Sequence, residues 1–182
     1  MKLFISITFF LGIVCSLSVA AKTGQLSRGD GKPDGKQPLA GTGAMVMFSA
    51  PGPTAVVSAV HVHSMRRGGA KNKPRGTFKI YIFSKDLKKV LHTEIVSFQK
   101  YRERGRFKWY VMPFKKPVVV PKDFWVVIDF NTPSRQGIFV SYDTSTGGKY
   151  SLVGIPGQRP MPVDFKGDWM IRVDVGGGKK KK

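Results

Sequence analysis

Between residues 44 and 175 the chain alternates short apolar runs with clusters of turn-forming residues. The runs are Ala44–Ser49, Val56–Met65, Phe78–Ser84, Val90–Phe98, Phe107–Phe114, Val118–Val120, Phe124–Phe130, Gly137–Tyr142, Tyr150–Val153 and Trp169–Val175. In some the alternation is strict: Phe78, Ile80 and Ile82 share one face, as do Trp169, Ile171, Val173 and Val175. A period of two sends successive side chains to opposite sides of a half-buried strand. Pro51-Gly52-Pro53, Gly68-Gly69, Thr132-Pro133-Ser134, Gly147-Gly148 and Ile155-Pro156-Gly157 separate the runs and predict the turns between strands. No stretch carries the period of a useful amphipathic helix. The pattern predicts an all-β fold, an antiparallel β-sandwich of jelly-roll-like type forming a single domain over residues 44–175.

The two ends read differently. Met1-Lys2 gives a positive start, LFISITFFLGIVCSLSVA an uncharged apolar run, and Ser18-Val19-Ala20 a small-residue exit. That order predicts a signal peptide over residues 1–20, cleaved near Ala20. The alternative is a retained anchor, since Leu3 to Ala21 is long enough to cross a bilayer. Residues 21–43 are rich in Gly, Pro and charge, which predicts a flexible linker. The linker contains Arg28-Gly29-Asp30, a tripeptide some animal receptors bind and one that Gly-rich segments also produce by chance. Residues 176–182, Gly-Gly-Gly-Lys-Lys-Lys-Lys, predict a disordered tail.

The leader changes the cysteine arithmetic. Cys15 is the only cysteine and lies inside it, so the exported chain would be held by its core without disulfides. Roughly 130 patterned residues are enough for one such core. The formal net charge is +20, and Lys2 is the leader's only contribution. A surplus that large bears on partners. Outside a cell it points to an anionic polysaccharide, an envelope component or, non-specifically, nucleic acid.

The charge is clustered. Arg66, Arg67, Lys71, Lys73 and Arg75 crowd the loop after the second run. Lys100, Arg102, Arg104, Arg106 and Lys108 alternate, so an extended conformation would place them on one face as a ladder for a linear polyanion. Trp109 shares a face with Phe107 and Val111, which predicts a core position. Tyr110 points the other way and is the candidate aromatic contact. Uninterrupted alternation puts Val57, Ala59, His61, His63 and Met65 on one face, and the spacing of His61 and His63 is one that zinc sites use. The ordinary reading is two histidines at a sheet rim. Asp129, Asn131, Asp143, Asp164 and Asp168 fall at strand ends, where oxygen ligands for a structural calcium gather, though in no recognised loop form. No cofactor is otherwise expected. Nucleophile-elbow, phosphate-loop and zinc-protease motifs are absent from the sequence.

The stretches FKIYIFSKDLKKV, PKDFWVVIDFN, GIFVSYDTSTGGKYSLVGIPG and GDWMIRVDV together resemble a poorly characterised β-sandwich, jelly-roll-like domain of secreted bacterial proteins. The likeness covers residues 44–175 and supplies no catalytic residues. It implies an accessory or binding module. The expectation is a secreted, non-catalytic module contacting an anionic polymer or cell-envelope component through basic loops. Alternatives are a carbohydrate-binding module using exposed aromatics, with calcium in support, a hydrolase around His61 and His63, and a structural envelope protein.

Overall fold

A computed structural model describes residues 24–39, 41–67, 75–101, 105–130 and 137–177. The leader 1–20 and residues 178–182 of the tail lie outside this set. The strands are β1 Gly24–Leu26, β2 Gly35–Leu39, β3 Gly43–Arg67, β4 Thr77–Ser84, β5 Val90–Ser97, β6 Lys108–Asp129, β7 Gly137–Asp143, β8 Ser151–Val153, β9 Met161–Pro162, β10 Asp168–Trp169 and β11 Ile171–Gly177. A 3-10 turn, Phe98–Tyr101, precedes β6. The fold is all-β, and the strand pairings between described residues are antiparallel.

Two long strands organise everything else. β3 and β6 pair along nearly their whole length, with breaks in register. Ser49 faces Asp123 while Thr54 faces Pro121, so residues 50–53 bulge from β3. Val57 faces Val118 while Ala59 faces Pro113, so residues 114–117 bulge from β6. Pro51-Gly52-Pro53, read from sequence as a turn between strands, is therefore a kink inside one strand. Proline is tolerated there because a bulge leaves its missing N–H outside the ladder. The kinks carry both strands from one layer to the other. Before its kink at 50–53 β3 borders β8, and after its bulge at 114–117 β6 borders β4, which pairs with β5. Beyond the 50–53 kink β3 borders β11 and then β7.

The layers close over one core. Phe48, Ile80 and Phe124 from one half share a buried cluster with Val60, Met112 and Val173 from the other. Burying each such side chain stabilises the fold by about 1.5–3 kcal/mol before conformational entropy is counted. Tyr101 ties the halves together. Its ring lies 6.0 Å from Phe78 and 4.2 Å, stacked, from Tyr110. Its hydroxyl is hydrogen-bonded to Ser64 at 3.1 Å, and burial pushes the phenol pKa well above its ordinary value.

The segment expected to be a flexible linker is part of the sheet. β1 pairs with β11, and β2 pairs with β7. Between them residues 27–34 form a strap pinned at several points. The Arg28 guanidinium donates to the Met47 carbonyl from Nε and Nη2 at 2.9 and 2.8 Å and lies 3.7 Å above the Tyr150 ring. Gly29, at φ 80°, is pressed against the Asp143 carboxylate where a Cβ would collide with it. The Asp30 amide donates to Ser145 Oγ, and its carboxylate accepts from the Lys32 amide. The Gly31 amide donates to Asp143 at 2.8 Å. The Arg-Gly-Asp tripeptide is thus built into the domain wall. Hydrogen bonds and sheet pairing order this segment where apolar burial is lacking.

Candidate functional site

The bulges decide which side chains face outward. In β3 the inner positions are Ala55 and Val57 before the shift, then Val60, Val62, Ser64 and Arg66 after it. His61 and His63 consequently lie on the outer face, while Val57 lies inside, so the uninterrupted face read from sequence does not exist. In β6 the inner positions are Tyr110, Met112 and Phe114. Trp109 and Val111 look out. The sequence alternation is correct here but its polarity is inverted: Tyr110 is core, and Trp109 is the half-exposed ring.

Outward pairing across three strands assembles an aromatic and cationic strip. His63 opposes Trp109, and His61 lies between Val111 and Arg172. The His63 ring stacks at 5.8 Å on Phe107 and sits 5.2 Å from Trp109. The Arg172 guanidinium lies 3.9 Å over the Trp109 ring, a cation–π arrangement. Lys36 from β2 brings its ammonium within 5.4 Å of Phe107 and 5.7 Å of Phe139. A cleft of about 290 Å³ opens between the strap and the sheet, lined by Pro33, Asp34, Gly35, Lys36, Phe107 and Ser141.

Polar contacts fix the orientation of these groups. His63 Nδ1 is hydrogen-bonded to Ser141 Oγ at 2.9 Å. Its pKa is lowered by burial and then by the Arg172 charge, so the ring stays neutral at pH 7. His61 Nε2 meets Asp174 at 2.8 Å, and Gln25 donates to the same carboxylate at 2.9 Å. Burial raises the Asp174 pKa, but the bonds from Gln25 and His61 outweigh it and leave the group below its ordinary value. Asp34, on the cleft wall, accepts from the Thr144 hydroxyl and amide, which hold its pKa down. Its charge is directed at those donors.

The expected site residues that are described fall in different elements. Arg66 is 5% exposed and inside the sheet, and Arg67 ends β3. Lys71, Lys73, Arg102 and Arg104 lie outside the described residues. Arg75 and Arg106 are exposed. Lys100 belongs to the 3-10 turn and donates to the Val111 carbonyl at 3.1 Å. Lys108 starts β6, its ammonium 5.1 Å from the Tyr110 ring. Of the expected ladder, Lys100 thus sits in a 3-10 turn and Lys108 in a strand, while residues 102–104 between them lie outside the described residues. Arg172 and Lys36 were not singled out in the sequence. Their signal was only a basic residue at an outward position in strands whose partners are remote.

The described histidines and the carboxylates of Asp143 and Asp168 engage partners of their own. His61 and His63 engage separate partners, and His92 is 3.3 Å from Glu94. Among the described residues no group of three His, Cys, Asp or Glu side chains is placed to hold a metal ion. Asn131 lies outside the described residues. Asp143 accepts from Gly31, from the Ser145 amide at 2.9 Å and from the Ser145 hydroxyl at 2.5 Å. Asp168 accepts from the Tyr150 amide at 2.8 Å and from the Thr146 hydroxyl. These carboxylates cap turns. Between described residues the ion pairs are Lys85–Asp123, His61–Asp174 and His92–Glu94. With acids directed at backbone amides and hydroxyls, few offset the surface lysines and arginines.

No family model matches the chain, and no curated protein matches it. In fold it is similar to a solved chain holding the cysteine protease and lectin-like domains of Cwp84, a surface layer associated protein of Clostridium difficile. The TM-score is 0.50 with 12% identity over 79% of this chain, which spans 34% of that chain's length. At that identity the likeness concerns the β-architecture alone.

Proposed function

We propose that this chain is a secreted, non-catalytic binding module whose outer strip around His63, Phe107, Trp109 and Arg172 takes an acidic polysaccharide or a similar anionic polymer of a cell envelope. One observation carries the reading: half-exposed aromatic rings lie directly against Arg172 and Lys36 in a chain of net charge +20. Rings stack on sugar faces and cations pair with acidic groups, so the two together suit a charged glycan. The lectin-like domain named for the similar solved chain agrees with a glycan ligand. The protease named beside it finds no counterpart nucleophile, since Cys15 is the only cysteine and precedes the β-domain.

The test is binding to acidic and neutral polysaccharides at 50 and 200 mM salt. Two or three neutralised acidic groups on a densely charged polymer predict a loss of roughly 10- to 40-fold across that range. Trp109→Ala and Arg172→Ala should each weaken binding. Salt-independent binding to a neutral glycan would replace this reading with a carbohydrate module acting through its rings. Failure to bind either polymer class would reject both.

A further inference from the structure

The opposite end of the sheet carries a second apolar cluster, separate from the core. Met45, Phe83 and Val127 are buried on the outward face of β3, β4 and β6, with Tyr81, Leu87, Trp125 and Leu152 packed around them. Their registers are continuous: Met45 faces Val127, which faces Tyr81, and Trp125 faces Phe83. Two loops stand over this face, residues 84–89 and residues 155–160. Between them lies a cleft of about 260 Å³ whose walls include Leu87 on one side and Ile155, Pro156 and Pro160 on the other.

Leu87 marks the cleft as built. Its φ is 60°, and it is the non-glycine residue of the described chain in the left-handed region. Leucine adopts that backbone only where its surroundings impose it. Here they do. The Leu87 amide donates to the Ser84 carbonyl, the Lys89 amide to Ser84 Oγ, and the Lys88 amide to Asp86. Trp125 Nε1 clamps the Lys85 carbonyl at 2.9 Å. The turn is over-determined, and it holds Leu87 against the cleft. The same loops carry exposed cations next to the lining residues: Lys88 and Lys89 after Leu87, and Arg159 between Gln158 and Pro160.

An apolar slot between two loops that each carry exposed cations fits one ligand chemistry, a hydrocarbon chain ending in an anionic group. We infer that this cleft binds the acyl chain of an anionic single-chain amphiphile, with the head group on Lys88 and Arg159. Its volume is just below the usual ligand-pocket range of roughly 300–1,000 Å³, which suits one chain rather than a whole diacyl lipid. The site is independent of the polymer-binding strip.

Calorimetric titration of the full chain with dodecanoate, below its micelle concentration, tests the assignment. Saturable binding is expected. Dodecyl maltoside, with the same chain and a neutral head, should bind at least about tenfold more weakly, and so should dodecanoate to the Lys88→Glu/Arg159→Glu variant. Leu87→Gly removes the side chain while relieving the left-handed backbone, two effects of opposite sign on stability, so it should still fold and yet lose dodecanoate binding. Trp109→Ala should leave dodecanoate binding intact, which separates failure here from failure at the strip. Absence of saturable binding, unchanged binding in folded Leu87→Gly, or equal affinity for the neutral amphiphile would each overturn the inference.

Discussion

Asp143 is the residue on which the strap should depend most. It is fully buried and accepts hydrogen bonds from the Gly31 amide, the Ser145 amide and the Ser145 hydroxyl. Asp143→Ala leaves two backbone donors without their acceptor and removes the group that Gly29 packs against. At about 1–1.3 kcal/mol for each of the three bonds, the expected destabilisation is about 3–4 kcal/mol. For a domain of this size that corresponds to a melting-temperature drop of roughly 6–15 °C, read by circular dichroism. Hydrogen exchange should show the Gly31 and Ser145 amides losing protection first. The carboxylate also sets an acid limb. Burial works to raise the Asp143 pKa, but the Ser145 hydroxyl and amide and the Gly31 amide prevail and lower it. A carboxyl whose pKa is depressed on folding contributes stability above its unfolded value of about 3.9, and that contribution is lost as pH falls through the folded value. The wild type should therefore weaken below about pH 4 more steeply than Asp143→Ala does. A variant within 1 kcal/mol of wild type, with the same acid limb, would show that the strap is held by something else.

Arg66 supplies a contrasting case. Its Nε is buried without a hydrogen-bond partner among the described residues, so Arg66→Met should be neutral or stabilising in chemical denaturation. A loss above about 2 kcal/mol would instead reveal a satisfied charge. Tyr101→Phe removes the bond to Ser64 while keeping the rings, and should cost about 1 kcal/mol. A near-zero change in urea denaturation would remove the hydroxyl from the account of how the layers are joined.

Strand alternation made most of the architecture legible. Phe78, Ile80 and Ile82 and the final strand from Trp169 fall inside as their period required. What the pattern withheld was phase. One register shift at Val57/Ala59 turns Arg66 inward and His61 and His63 outward, and a bulge leaves no local trace in the composition of a strand rich in β-branched residues. The polarity of β6 was equally hidden, since Trp109 and Tyr110 suit either face until a partner layer is chosen. The strap was misread for a further reason. Its partners Met47, Asp143, Ser145 and Tyr150 are supplied by distant segments, and a Gly-rich segment ordered by hydrogen bonds has no apolar signature.

The pairing of β1 with β11 also fixes the order in which the domain can be finished. The earliest described strand has its partner in the last one, Ile171–Gly177. During synthesis β1 must wait, unpaired, until β11 has emerged. Folding is thus gated by the C-terminal strand. A nascent chain stalled before Ile171 would expose the β3 edge that β11 later covers, at the register from Ala55 to Val62. Such an open edge is a template for pairing with another chain, so truncated products should aggregate where the full chain stays monodisperse.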